Sequence, residues 1–221
     1  MIEDRTRIVR GNSHWDSPSD IVGACASQYH RDLWEDQDIH VEVWIEKDAL
    51  VGVVDEICRQ WDVSFFSCRG YVSQSAMYRA AQRIVATDKP CIIFHFGDHD
   101  PSGIDMTRDI AERLDLLSDG ADIRVERVAL TMDQIDQYDP PSNPAKESDC
   151  RHASYVSEFG ESSWELDALR PEILINLINE EIENVVDLTK FRACERRQER
   201  ERKILQKTAK SLKKKKSTKN S

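Results

Sequence analysis

No run of apolar residues in this sequence approaches the ~20 needed to span a bilayer, and the opening Met1-Ile2-Glu3-Asp4-Arg5 holds no apolar secretory core. The expectation is a cytoplasmic protein with no membrane partner. No Cys-x-x-Cys pair occurs among Cys25, Cys58, Cys68, Cys91, Cys150 and Cys194, which lie far apart, several of them inside apolar patterns. That spacing argues against a zinc site or a disulfide framework and for reduced, mostly buried thiols.

What is present is charge. The 221 residues are 39% hydrophobic and 33% charged, the composition of a globular chain with a heavily charged surface and length enough for one domain with elaborations. The net charge of −10 hides an asymmetry: Lys190 to Ser221 carry fourteen Lys or Arg against three Glu, a net +11, which leaves the preceding residues at −21. A polybasic tail ending in Lys213-Lys214-Lys215-Lys216 attracts phosphate backbones without reading sequence. It is equally the composition of a solvated end, or of a segment folded over its own acidic body.

The chain is organised around Cys91-Ile92-Ile93-Phe94-His95-Phe96-Gly97-Asp98-His99-Asp100-Pro101-Ser102-Gly103. An unbroken apolar run ending in two carboxylates one residue apart, then Pro and Gly, reads as a buried parallel strand. It delivers Asp98 and Asp100 to the sheet edge where open α/β sheets bind ligands. Two carboxylates there repel unless a cation lies between them or one takes up a proton. Oxygen donors without Cys or His at ligand spacing favour Mg²⁺, or Mn²⁺, over Zn²⁺. The plainer alternative is a turn in which the aspartates cap the helix starting near Gly103. His95, in the apolar strand, reads as a buried hydrogen-bonded residue, and His99 points away from both aspartates if strand geometry persists.

A second acidic strand end lies upstream. His40 to Glu46 alternates, ends in Glu46-Lys47-Asp48-Ala49, and is followed by Leu50, Val51, Val54 and Ile57 at helical spacing. Further strands are read at Asp62–Phe66 and Arg124–Leu130, with helices over Ala76–Val85 and Gly103–Leu117 between them. Gly70 and Ser73 could bring backbone to a phosphate at the start of the Ala76 helix, or simply form a left-handed turn and a helix cap. Four strands alternating with three helices predict a mainly parallel sheet with right-handed crossovers. Ser17-Pro18-Ser19-Asp20 and Thr131-Met132-Asp133-Gln134 open helices, Pro171 opens another with Leu174, Ile178 and Ile182 on its apolar face, and Asp139–Lys146 is too Pro-rich for a regular element.

Strand-Glu-Lys-Asp-Ala at Glu46–Ala49, followed about fifty residues later by strand-Asp-x-Asp-Pro-x-Gly at Asp98–Gly103, resembles the Toprim domain. The likeness is to the branch found in the A subunit of topoisomerase VI, the related meiotic double-strand-break protein, and phage or prophage relatives, and it spans roughly Asp4 to Asp187. It implies a Rossmann-like α/β core over 39–140, behind a helical lead-in over 1–38. A Pro-rich loop and helical extension over 141–189 and a basic, partly disordered tail over 190–221 would follow. It implies Mg²⁺ held by Glu46, Asp98 and Asp100. Glu46 would complete the coordination or move a proton. Lys47 would offset transition-state charge, or pair with Asp98 or Asp48. Matches to the prophage relatives at Pro140–Lys146 and Trp164–Leu169 make Lys146, Arg151 and Tyr155 candidates for facing substrate, and Glu165 and Asp167 for lining the acidic site. The region before Toprim in topoisomerase VI relatives is a winged-helix domain bearing the attacking tyrosine. The roughly 45 residues before Glu46 are too few for it, which makes Tyr29 a packing residue and suggests a truncated form or one half of a split system.

Two functions follow from the resemblance. One is a Mg²⁺-dependent phosphodiesterase that nicks or cuts nucleic acid, DNA foremost, without a covalent tyrosine. The other is a partner-dependent or non-catalytic subunit of a topoisomerase-like complex, with a winged-helix partner chain supplying the tyrosine. A primase-like transferase is the weaker third, since no nucleotide-binding or zinc element accompanies the core.

Overall fold

A computed structural model describes residues 14–217, with side chains through Lys213. The chain divides into two units, one drawn from Met1–Asp32 and Arg192–Ser221, the other Leu33–Phe191. In the first unit, Ser17 in extended conformation accepts the Asp20 amide, and with Pro18 and Asp20 in the first turn it opens α1 (Pro18–Gln28).

The second unit is built on four strands. β1 (His40–Ile45) is buried from Val41 onward. A tight turn at Asp48–Leu50 leads into α2 (Val51–Trp61), then come β2 (Ser64–Ser67), α3 (Gln74–Val85), the wholly buried β3 (Cys91–Phe96), α4 (Pro101–Leu117) and β4 (Ile123–Ala129). The sheet order is β2-β1-β3-β4 and every pairing is parallel. The chain leaves β1 toward β2 on one side and leaves β3 toward β4 on the other, so the topology switches direction between β1 and β3. Ile45 pairs with Phe96, and the Glu46 amide donates to the Phe96 carbonyl at 2.9 Å. Glu46 and Gly97 therefore leave the sheet side by side at the switch point, where open α/β sheets bind ligands.

Burial holds that edge in place. Trp44, Met77, Ile84, Ile93, Met106, Ile110 and Leu114 form one core cluster joining sheet, α3 and α4, each 2% exposed or less. At the opposite end of β1 the fully buried Glu42 receives Arg83 through Nε and Nη2 (2.9 and 2.7 Å), Trp44 Nε1 (2.9 Å) and His40 Nε2 (3.1 Å). Burial alone would raise its pKa, but the bonds from His40, Arg83 and Trp44 override it and hold the carboxyl down at about 2.

After β4 a Thr131/Gln134 capping box opens α5 (Met132–Tyr138). The Pro-rich stretch departs from the expectation of no regular element: β5 (Asn143–Pro144) pairs antiparallel with β6 (Ser162–Ser163), on either side of α6 (His152–Phe159). Pro144 is tolerated because the adjacent Ala145 amide supplies the donor, to the Glu161 carbonyl at 2.7 Å. α7 (Pro171–Val185) buries Leu174, Ile178 and Ile182 and packs on α2. α8 runs Leu188–Ser217, so the basic tail, expected as a helix that frays toward its end, is helical through Ser217. Within the first unit it packs on α1: Ser19 donates to the Ala209 carbonyl (2.8 Å), Tyr29 to Glu201 (2.6 Å), and Arg31 pairs with Glu201 (3.2 Å). Tyr29 is thus a packing and hydrogen-bonding residue there. No helix among the described residues is long and apolar enough to cross a membrane.

Because Glu42 is held below its ordinary value of 4.5, its contribution to stability is present above that value and is lost as pH falls toward 2. Glu42→Gln is expected to cost about 1–3 kcal/mol at neutral pH. Acid unfolding followed by circular dichroism would show a shallower loss of stability below about pH 4.5 than in the unaltered chain.

Candidate functional site

Glu46 and Asp98 meet directly: Glu46 Oε2 accepts the Asp98 amide at 2.9 Å. The turn that makes this possible needs glycine at Gly103 and is tight at Gly97. A Cβ on Gly97 would lie 3.0 Å from Glu46 Oε2 and 3.1 Å from His95 Cε1, and one on Gly103 would lie 2.2 Å from the Asp98 carbonyl oxygen. Asp100 does cap α4, with Oδ1 accepting the Gly103 amide (2.6 Å) and the Ser102 hydroxyl (3.0 Å). Asp98 Oδ1 accepts the Leu166 amide at 2.7 Å. Each carboxylate is thus positioned through one oxygen. Among the described residues nothing donates to Glu46 Oε1 or Asp100 Oδ2, and Asp98 Oδ2 faces the Lys47 ammonium at 3.5 Å. Capping and ligation are therefore compatible for Asp100, since they use different oxygens.

Enclosure shifts the equilibria of Glu46 and Asp98. Burial, then the charges of Asp98 and Asp100, push Glu46 up to about 7, against the Asp98 amide and Arg127. Burial also raises Asp98, against the Leu166 amide and Lys47. The compensating cation is Arg127 of β4. It donates to the carbonyls of Gly97 (3.1 Å), Asp98 (2.5 Å), Gly103 (2.9 Å) and Leu130 (3.2 Å) and to Thr107 Oγ1 (3.1 Å). Burial lowers its pKa to about 10 despite Glu46, Asp100 and Asp98, so it stays charged at neutral pH. The sequence alone does not single out Arg127, because Arg124-Val125-Glu126-Arg127 reads as an alternating strand with a solvated charged face. The readable sign is that Arg127 shares its strand face with Val125. It stands where the β3–β4 register shifts between His95 and Phe96, a bulge of the kind that re-aims side chains at sites.

The two histidines flank this arrangement without joining it. Burial lowers His95 to about 3, a neutral ring whose Nδ1 lies 2.9 Å from Thr107 Oγ1. His99 is also buried, its pKa lowered to about 4, with Nδ1 2.8 Å from Tyr155 Oη and edge-on contacts to Phe159 and Trp164. Its amide and carbonyl exchange hydrogen bonds with Trp164 (2.8 and 2.9 Å), which straps the segment after β6 along the aspartate loop.

That strap brings Glu165 and Asp167 onto Lys47, at 2.6 and 2.8 Å. Burial alone would lower the lysine's pKa, but these partners and Asp98 raise it. Lys47 thus pairs with Asp98 rather than Asp48, which binds Ser67 (2.5 Å) and Arg69 (2.6 Å). The remaining candidates lie outside the cluster of three acids. Gly70, with φ +80°, forms the turn before α3, and Ser73 uses its hydroxyl to cap that helix at the Ala76 amide. Lys146 is exposed and accepts the Asp149 amide through its carbonyl (3.0 Å). Arg151 is bound by Asp149 (2.7 Å), Asp105 (2.9 Å) and Tyr71, beside α4. Tyr155, expected to face substrate, is 4% exposed, its hydroxyl 2.9 and 3.0 Å from the carbonyls of His99 and Ser162. It backs the aspartate loop from inside.

Among the described residues no three His, Cys, Asp or Glu side chains converge on one point as a ready-made metal site. The donor chemistry still suits a hard divalent ion, because Glu46 Oε1 and Asp100 Oδ2 are carboxylate oxygens with no donor among the described residues and Mg²⁺ uses one or two carboxylates beside water and substrate. Fold and site together define a Rossmann-like α/β protein with an acidic edge at the sheet's switch point. No protein-family model matches the chain, and no curated protein matches it.

Gly103→Ala is expected to displace the aspartate loop and cost about 1–3 kcal/mol, seen as a lowered melting temperature and as separation of Asp98 from the Leu166 amide in a structure of the variant. Glu46 titrates near 7 folded against 4.5 ordinarily, so in chelator stability falls as pH rises from 4.5 to 7 and stays lower above. Glu46→Gln is expected to melt above the unaltered chain at about pH 8, the gap closing by about pH 5.

Proposed function

We propose that this chain is a Toprim-type, Mg²⁺-dependent phosphodiesterase that nicks or cuts nucleic acid, with DNA as the first substrate to test. The observation that carries the reading is the Glu46–Asp98 contact at the switch point, with Asp100 one residue on, Glu46 Oε1 and Asp100 Oδ2 uncommitted among the described residues, and Asp98 Oδ2 beside the Lys47 ammonium. Asp98 and Asp100 are the residues that would hold Mg²⁺, assisted by Glu46. Bound there, the ion supplies charge neutralisation at a phosphate oxygen and polarisation of phosphorus. Glu46, poised near neutrality, takes a proton from the attacking water or returns one to the leaving 3′-oxygen. Lys47 places positive charge at the rim, tethered by Glu165 and Asp167. Arg127 fixes the backbone that presents both aspartates. Tyr155 is buried and engaged, which suits direct attack by water better than a covalent tyrosine step. The exposed Lys203, Lys207, Lys210 and Lys213 of α8 suit contact with a phosphate backbone.

Incubation with supercoiled plasmid and labelled single strands, in Mg²⁺, Mn²⁺ or chelator, tests the proposal. Chelator-sensitive cleavage is expected, falling at least ~100-fold in Glu46→Gln and Asp98→Asn, the low end of general acid–base contributions of roughly 10²–10⁴. Equal activity in Glu46→Gln, or no cleavage with either metal, overturns it. Truncation after Leu212 removes five lysines. It is expected to weaken DNA binding and to flatten the salt dependence by about 0.9 in log–log slope for each phosphate that the shortened chain no longer neutralises.

A further inference from the structure

A pocket of about 200 Å³ opens beside the acidic edge, between the first two turns of α4 and the face of α6. Its lining starts at Pro101, the residue after Asp100, and Tyr155 at its back holds the carbonyl of His99 between the two aspartates. Whatever enters is therefore a neighbour of a group held at the aspartates. The volume is below the ~300–1,000 Å³ that houses a whole drug-sized ligand. It fits one ring system of a longer molecule.

The lining says which kind. Ile104, Tyr155 and Phe159 give it an apolar and aromatic wall, and Arg108 and Arg151 bring guanidinium planes. Those cations are already paired: Arg108 with Asp105 (2.7 Å) and Glu112 (2.5 Å), Arg151 with Asp149 (2.7 Å) and Asp105 (2.9 Å). With Asp105 and Glu158 also in the lining, the pocket is formally neutral and offers a phosphate no uncompensated charge. A paired guanidinium still stacks, and Arg151 already does so, its central carbon 5.3 Å from the ring centre of Tyr71, itself 44% exposed. Aromatic rings and arginine planes around a neutral slot are the surface on which unpaired bases stack.

We propose that this pocket takes one unpaired nucleobase of the strand whose phosphate lies at Glu46, Asp98 and Asp100, so that the substrate is single-stranded or locally opened nucleic acid. The proposal rests on the nucleic-acid reading above. A base inside a duplex enters only by leaving its stack, at a cost of a few kcal/mol. Discrimination against intact duplex follows.

The test is equilibrium binding in Ca²⁺ of three labelled probes: a 12-mer oligothymidylate, a 12-mer of abasic sites with the same phosphates, and the thymidylate paired with oligoadenylate. Ser154, exposed on α6, lines the pocket without belonging to the acidic site. Ser154→Trp fills the slot and is expected to weaken oligothymidylate binding about tenfold, within the ~1–3 kcal/mol that one base–aromatic stack contributes, leaving the abasic and duplex probes unchanged. Ile104→Trp fills it from the α4 wall and should give the same pattern, so a folding defect in one variant does not decide the result. If both variants bind oligothymidylate like the unaltered chain, or lose all three probes equally, the pocket assignment is wrong while the nucleic-acid reading survives. If the unaltered chain binds none of the probes, that reading fails and takes the pocket with it.

Discussion

The hydrogen bond from the Asp98 amide to Glu46 Oε2 is the contact on which the site depends. It joins the ends of two strands that the chain separates by an entire strand and two helices, at the one place where the sheet reverses its order of addition. A parallel sheet cannot avoid bringing such ends together, since all its strands finish on the same edge. What the sequence adds is acid at both ends. Gly103 lets the start of α4 approach the Asp98 carbonyl, and one arginine makes the accumulated negative charge tolerable.

Arg127 and Lys47 divide the electrostatic work. Arg127 directs its donors at carbonyls, so its charge acts on the acids through space while its hydrogen bonds fix the loop. Lys47 instead binds carboxylates at the solvent side. An inner cation that holds shape and an outer one bound to three carboxylates leave Glu46 the group whose protonation changes near neutrality. Shifted pKa values of this kind cluster at functional sites, where proton transfer needs a group poised near the working pH.

The strands and crossover helices were legible because their causes are local: apolar runs at Cys91–Phe96, caps at Ser17 and Thr131, a proline at Pro171. The meeting of Glu46 with Asp98 was legible too, from two acidic strand ends and a parallel sheet. Less is visible where partners lie far apart. Glu165 and Asp167 reach Lys47 across 118 and 120 positions, which the resemblance at Trp164–Leu169 suggests by placing them at the acidic site but which no periodicity announces. Arg127 looks like one charge among several on a solvated face. The charge density of the tail implies fraying on its own, whereas α1 supplies a surface for it. Tyr155 turns inward because Phe159 and His99 form a buried aromatic cluster with it, and His99 comes from 56 positions away.

The strap at Trp164–Leu166 carries a consequence for how the molecule is made. Asp98 is gripped by an amide 68 positions later, and His99 is zipped to Trp164. Loops of that length close late, because their entropy must be overcome before the contacts form. During synthesis the sheet can assemble once β4 has emerged, yet the aspartate loop stays loosely held until residues beyond 160 arrive. The acidic edge is thus completed after the strands that carry it, so a growing chain holds the framework of the site before its final geometry.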